Sequence, residues 1–182
     1  MTIRLLALCG SQRRRSLSGA LLRACRDLAP DGVAIDLFEG HKGFPLFNPE
    51  LDLPSGVLAL QDAITAADGI LIASPEYAHG VSGTIKNTLD WVVSHPPFAG
   101  KPVGVLNPSL RSHHADEALK ETLRTMSAVL VPGACIRIPV IGAGLDLDTD
   151  PAAMASSPRF APLIVTALDA LLDHIKSMKT GA

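Results

Sequence analysis

Two short segments carry the residue types that could do chemistry. The first, Gly10-Ser11-Gln12-Arg13-Arg14-Arg15-Ser16-Leu17-Ser18, follows an apolar run directly and opens a stretch of helical period. A helix start presents unpaired N–H groups and a partial positive charge. Hydroxyls from Ser11, Ser16 and Ser18 with the Arg13 guanidinium would complete a cradle for a phosphate there. The same residues also fit a plainer arrangement in which Ser16 caps the helix and three arginines face water. The spacing matches neither GxGxxG nor GxxxxGK[ST], which argues against a dinucleotide fingerprint and a nucleoside triphosphatase loop.

The second segment is Ser74-Pro75-Glu76-Tyr77-Ala78-His79-Gly80-Val81-Ser82-Gly83, leading into Thr84-Ile85-Lys86-Asn87-Thr88-Leu89-Asp90-Trp91. Pro and Gly hold such a loop open, so its backbone groups are free to pair with the edge of a flat heterocycle while Tyr77 lines its face. The competing reading is a surface turn, with Thr84 capping a helix and Trp91 in the core. His79 invites a general-acid role, but the sequence supplies no carboxylate partner for it, and it is read as solvated.

These segments must be held by regular elements. Apolar runs at Ile3 to Leu8, Val33 to Leu37, Gly69 to Ala73 and Val103 to Leu106 do not alternate with polar residues, which predicts strands buried on both faces; Cys135 to Ile138 is a fifth candidate. Between them, apolar residues recur every three or four positions: Leu17, Leu21, Ala24 and Leu28; Val57, Leu60 and Ile64; Ile85, Leu89 and Val92; Leu119, Leu123, Met126 and Leu130. A last helix is expected to carry Phe160, Leu163, Ala167, Leu171 and Ile175. Alternating strands and helices require right-handed parallel crossovers, which predicts a three-layer α/β/α sandwich on a five-stranded parallel sheet. Ligands bind outside the carboxyl ends of such strands, where both segments fall. Two stretches rich in Gly, Pro and Asp, Phe38 to Pro54 and Pro139 to Pro158, are too long for ordinary connections and are read as functional loops.

The 182 residues predict one domain, 1–182, and 47% hydrophobic content with a mean hydropathy of +0.28 supplies its core. Sixteen Lys and Arg against eighteen Asp and Glu leave a charge of -2, too balanced for a nucleic-acid surface. Cys9, Cys25 and Cys135 form no CxxC, which argues against a disulfide framework and a metal site. The N-terminal apolar run is too short for a signal peptide, and no run approaches the roughly 18 residues of a membrane span; a soluble, cytoplasmic protein is expected.

Together the two segments resemble the NADPH-dependent FMN reductase family of flavodoxin-like proteins, which includes FMN, quinone, azo and chromate reductases. The resemblance rests on GSxRxxS at Gly10, Ser11, Arg13 and Ser16, and on PEY...G...KNxxDW at Pro75, Glu76, Tyr77, Gly83, Lys86, Asn87, Asp90 and Trp91. Phe44-Pro45-Leu46-Phe47-Asn48-Pro49 is similar to the family's Pro-Leu-aromatic-Asn segment. It implies FMN as cofactor, with Ser11, Arg13, Ser16, Leu17 and Ser18 at its phosphate and Pro75, Glu76 and Tyr77 along the isoalloxazine. Asn107 and Ser109 would donate to the ring. NADPH or NADH would reduce the flavin and a small-molecule acceptor would reoxidise it by a ping-pong cycle, with no catalytic side chain and no metal, in a homodimer or homotetramer. Two departures stand out: Ala78-His79 replaces the family's Asn after PEY, and Asn107-Pro108-Ser109-Leu110-Arg111-Ser112-His113-His114 replaces a glycine-rich turn. Arg111, His113 and His114 either receive a phosphate of the nicotinamide donor or stand exposed. A flavodoxin-type electron carrier and a flavin-less binding or sensing module share these features as alternatives.

Overall fold

The computed structural model describes residues 2–141 and 151–180. Its strands are β1 (Ile3–Cys9), β2 (Val33–Phe38), β3 (Gly69–Ala73), β4 (Glu76–Tyr77), β5 (Gly80–Val81), β6 (Pro102–Asn107), β7 (Val129–Leu130) and β8 (Ile136–Arg137). Helices are α1 (Leu17–Asp27), α2 (Ser55–Ala66), α3 (Gly83–Val92), α4 (His113–Thr125), α5 (Pro151–Ala155) and α6 (Ala161–Thr180). The main sheet is parallel in the order β2-β1-β3-β6-β7, with β8 also paired to β6. This is the flavodoxin-like order, whose switch point falls between β1 and β3.

The unbroken apolar runs follow from helices on both faces. Leu5, Ala7 and Cys9 of β1 pack with α1 and α6, while Leu6 and Leu8 pack with α2, α3 and α4. Period-2 alternation therefore buries Leu5 to Cys9 of β1 and all of β3 and β6 between the two layers, while Arg4 of β1 and Asp36 of β2 stay exposed. Helical spacing places Val57, Leu60 and Ile64, then Ile85, Leu89 and Val92, on buried faces. On α6 the inward face is Ile164, Ala167, Leu168, Leu171, Leu172 and Ile175, while Leu163 is 38% exposed, contrary to expectation.

The fifth strand position also differs from expectation. It consists of two short pieces: β7 pairs with Pro102 and Val103, and β8 with Leu106 and Asn107. Pro132 lacks the N–H that an unbroken ladder needs, and Pro132–Ala134 forms a 3-10 turn between the pieces. Leu130, expected on the fourth helix, belongs to β7. Helix α4 ends earlier because Ser127 adopts a left-handed φ of 61°, with its N–H on Arg124 O and the Ala128 N–H on Leu123 O, a Schellman closure. Of the expected second loop, residues 142–150 lie outside the described residues. Among the described residues, no helix is long and apolar enough to cross a membrane.

Candidate active site

The Gly10-to-Ser18 segment starts where β1 meets β3. The Gly10 N–H donates to Ala73 O at 2.8 Å, and a Cβ on Gly10 would stand 2.2 Å from Ser74 Oγ, so no side chain fits there. Ser82 locks the junction: its hydroxyl donates to Gly10 O at 2.6 Å and lies 3.2 Å from Ser74 Oγ. Ser82 Oγ also accepts the Ile85 N–H, so Ser82 caps α3, where the surface-turn reading placed Thr84.

Ser16 caps α1, its Oγ accepting the Gly19 N–H at 2.9 Å. Leu17 and Ser18 occupy the first two helical positions, whose N–H groups have no intrahelical acceptor. Ser11, Ser16 and Ser18 are buried and Arg13 is exposed. The Ser11 Oγ accepts the Arg13 N–H at 3.3 Å, bending the loop over the helix start. The plainer reading is met in the Ser16 cap, and Ser11 and Ser18 are buried beside the same helix start.

Facing this helix start is the short hairpin of β4 and β5. Its turn residues Ala78 and His79 both have positive φ, 49° and 59°, as a two-residue type I′ hairpin requires. An alanine there costs about 1 kcal/mol against glycine or asparagine, which tolerate this region. Ala78→Asn should accordingly raise stability by about 1 kcal/mol, read as a higher urea midpoint with unchanged slope.

The turn also supplies what the sequence did not show for His79. Glu76 Oε1 lies 3.3 Å from His79 Nδ1, so the imidazole has a carboxylate partner three residues back. Glu76 Oε2 accepts the Ala115 N–H at 2.8 Å in the first turn of α4, which ties the hairpin to that helix. This bond, reinforced by the charges of His79, His114 and His113, holds the Glu76 carboxyl below the usual carboxylate range. The imidazoles cluster: the ring centroids of His79 and His114 are 4.5 Å apart, and those of His113 and His114 4.1 Å.

Between helix start and hairpin runs a cleft of about 170 Å³, lined by Ser11, Arg13, Ser16, Leu17, Ser18, Pro75, Glu76, Tyr77, Pro108, Ser112 and Ile141. Eight of the ten residues singled out in the sequence thus share one wall system. Asn107 and Ser109 are not among them. Both are buried and used within their own loop: Asn107 Nδ2 donates to Ser112 O, Asn107 Oδ1 accepts the Ser109 N–H, and Ser109 Oγ accepts the Arg111 N–H. Pro108, Ser112 and Ile141 were missed, the first two being neighbours of residues chosen for their hydrogen-bonding atoms. Trp91 is buried, as the turn reading expected, but it also has a polar task. Its indole N–H and the Asn87 amide both donate to Pro45 O, and Asn87 Oδ1 accepts the Phe47 N–H. The KNxxDW segment therefore clamps the Phe44-to-Asn48 loop onto α3.

A buried histidine supports the loop from below. His41 Nε2–H donates to Cys9 O at 2.8 Å, the last residue before Gly10. Burial holds its pKa below the ordinary 6.5, against the favourable Cys9 carbonyl contact. In this situation the unfolded chain takes up the proton first as pH falls. Stability should be full above about pH 6.5 and decline below it. Urea midpoints measured from about pH 7 to about pH 5 should fall more steeply for the parent than for His41→Gln.

Residues 3–140 match the NADPH-dependent FMN reductase family, and the chain belongs to it. An NAD(P)H-dependent FMN reductase of Pseudomonas aeruginosa is 38% identical over 112 residues, 59% of this chain and 60% of the relative. A quinone reductase of Escherichia coli is 32% identical over 114 residues, 59% of this chain and 61% of the relative. The chain therefore matches about 60% of the length of these relatives. The solved structure of the flavoenzyme NAD(P)H:(acceptor) oxidoreductase FerB from Paracoccus denitrificans aligns over 97% of this chain and 98% of its own, at 27% identity and a TM-score of 0.80.

Proposed function

We propose that this chain is an NAD(P)H-dependent reductase that carries FMN in the cleft. The carrying observation is that the cleft joins a capped helix start with three buried hydroxyls and an exposed arginine to a proline-started hairpin bearing Tyr77. The donor set suits one phosphate at one end and a flat ring at the other. Ser11, Arg13, Ser16 and Ser18 would bind the phosphate with the Leu17 and Ser18 N–H groups, while Pro75 and Tyr77 would flank the ring. Bound there, FMN would supply the redox chemistry by which reducing equivalents from NADPH or NADH reach a small acceptor in a ping-pong cycle. The protein's share is positioning. Glu76 orients the hairpin through Ala115, and Asn107 and Ser109 hold the loop that presents Pro108 and Ser112.

The reading extends to assembly. The clamped loop exposes Leu46 at 83% and Phe47 at 38%, with Leu51 and Leu53 following. That apolar surface supports a homodimer or homotetramer in which a neighbour covers it. A single cytoplasmic domain over residues 1–182 completes the proposal. Against a flavodoxin-type carrier stands the charge of -2, which gives little for electrostatic docking.

The test is direct. FMN titrated into flavin-free protein should bind at micromolar concentration or better and in preference to FAD, because the cradle ends at one phosphate. The loaded protein should then oxidise NADPH or NADH with a quinone present. Binding without turnover would favour the carrier, and no binding would favour the flavin-less module.

A further inference from the structure

Across the phosphate loop from the cleft lies a second cavity of about 340 Å³. Its floor is made by Ala7, Cys9, Gly19 and Leu22, and its rim carries Arg13 and Arg14 from the loop, Arg23 from α1 and Lys42 from the turn after β2. Glu39, the carboxylate on this rim, is ion-paired with Lys42. Among the described residues, Arg13, Arg14 and Arg23 have no carboxylate within ion-pair distance. Arg23 is half-buried and leans back along α1, as helical side chains do, toward the helix start. Its Nη1 lies 3.3 Å from where a Cβ on Gly19 would stand, so the missing side chain at Gly19 leaves the guanidinium its place.

The positive end of a helix repels cations, yet three unpaired arginines gather beside that of α1. The single phosphate proposed for the cleft would engage Arg13 and the helix start, leaving Arg14 and Arg23 uncompensated. A phosphomonoester carries a charge of about -1.5 to -2 near neutral pH and suits the planar guanidinium fork. Arg13 and Ser16 line both the cleft and this cavity, so a ligand extended along the loop could contact both.

We propose that this cavity is a second phosphate subsite that takes the 2′-phosphate of the nicotinamide donor and thereby selects NADPH over NADH. The inference rests on the reading of the cleft as a flavin and nicotinamide site. Its chemistry, a phosphomonoester between Arg14 and Arg23, could also be met by inorganic phosphate, and the test separates the two. Calorimetric titration of FMN-loaded protein should show 2′,5′-ADP binding at least about tenfold tighter than 5′-AMP, and also tighter than inorganic phosphate. The double variant R14Q/R23Q should abolish that preference and raise KM for NADPH about tenfold or more, with KM for NADH and FMN affinity unchanged. Equal affinity for 2′,5′-ADP and 5′-AMP, or a preference that survives in the double variant, would overturn the proposal. So would inorganic phosphate binding as tightly as 2′,5′-ADP, which would define a free-phosphate site. Repeating the titrations on flavin-free protein keeps the two readings apart, because failure to load FMN counts against the proposed function and leaves the 2′,5′-ADP comparison measurable.

Discussion

Arg13→Ala should weaken FMN roughly ten- to over a hundredfold while leaving riboflavin almost unaffected. The expectation follows from the strength of a charge-assisted hydrogen bond, about 1.5 to 3 kcal/mol, which the substitution removes at the phosphate end only. Arg13 is suited to show this cleanly. Its side chain is exposed on the cleft wall and makes no hydrogen bond or ion pair with another described residue. The loop's shape depends instead on backbone and hydroxyl contacts: Ser11 Oγ to the Arg13 N–H, Ser16 Oγ to the Gly19 N–H, and Ser82 to Gly10. Truncating the guanidinium should therefore leave the cradle folded. Paired fluorescence titrations with FMN and riboflavin measure the difference, and an equal loss for both would assign Arg13 to loop shape. Inorganic phosphate added to the riboflavin titration of the parent should restore part of the gap, because the empty end of the cradle would then be filled.

What could be read from residue order was whatever depends on local pattern. The strands β1, β3 and β6 stand where their apolar runs predict, since burial between two helical layers leaves an unmistakable lack of alternation. Ser11 to Ser18 and Pro75 to Tyr77 meet in one cleft because both segments follow adjacent parallel strands, which sheet geometry alone requires. The parts that were not legible depend on backbone torsions or distant partners. The contact from Glu76 to His79 exists only because Ala78 and His79 adopt left-handed φ, which neither residue type advertises. Ser82 displaces Thr84 as the α3 cap because its hydroxyl is already held by Gly10, 72 positions earlier. Asn107 and Ser109 have the right chemistry to donate to a ring, yet their loop, poor in glycine, consumes those groups to close itself. Asn87 and Trp91 gave no sign of their partner at Pro45, more than forty residues away.

The largest stability loss is expected at Asp116, which lies outside the cleft but governs one of its supports. The Asp116 side chain is 1% exposed, and its Oδ2 accepts from Lys120 Nζ at 2.8 Å and from Arg137 Nη2 and Nε at 3.2 and 3.3 Å. Arg137 belongs to β8 and Asp116 to the first turn of α4, so this carboxylate fastens the helix to the edge of the sheet. Removing one member of a buried ion pair leaves its partners' charges uncompensated, which typically costs 3–5 kcal/mol. Two features reduce the loss here: Arg137 is also 3.5 Å from Glu117, and its side chain is a third exposed. Asp116→Ala should therefore destabilise by about 3 kcal/mol, at the lower end of that range. Lys120→Met should cost much less, because Arg137 continues to satisfy the carboxylate. Urea unfolding of the two variants separates these outcomes, and equal small losses would mean that water already screens the cluster. A second effect follows from Ala115, the residue before Asp116, whose N–H is held by Glu76. If α4 loosens, that bond weakens, the hairpin carrying Tyr77 loses its anchor, and FMN and riboflavin should both bind less tightly. A parallel loss for the two flavins in Asp116→Ala, set against a selective loss in Arg13→Ala, would distinguish a support of the ring end from a ligand of the phosphate.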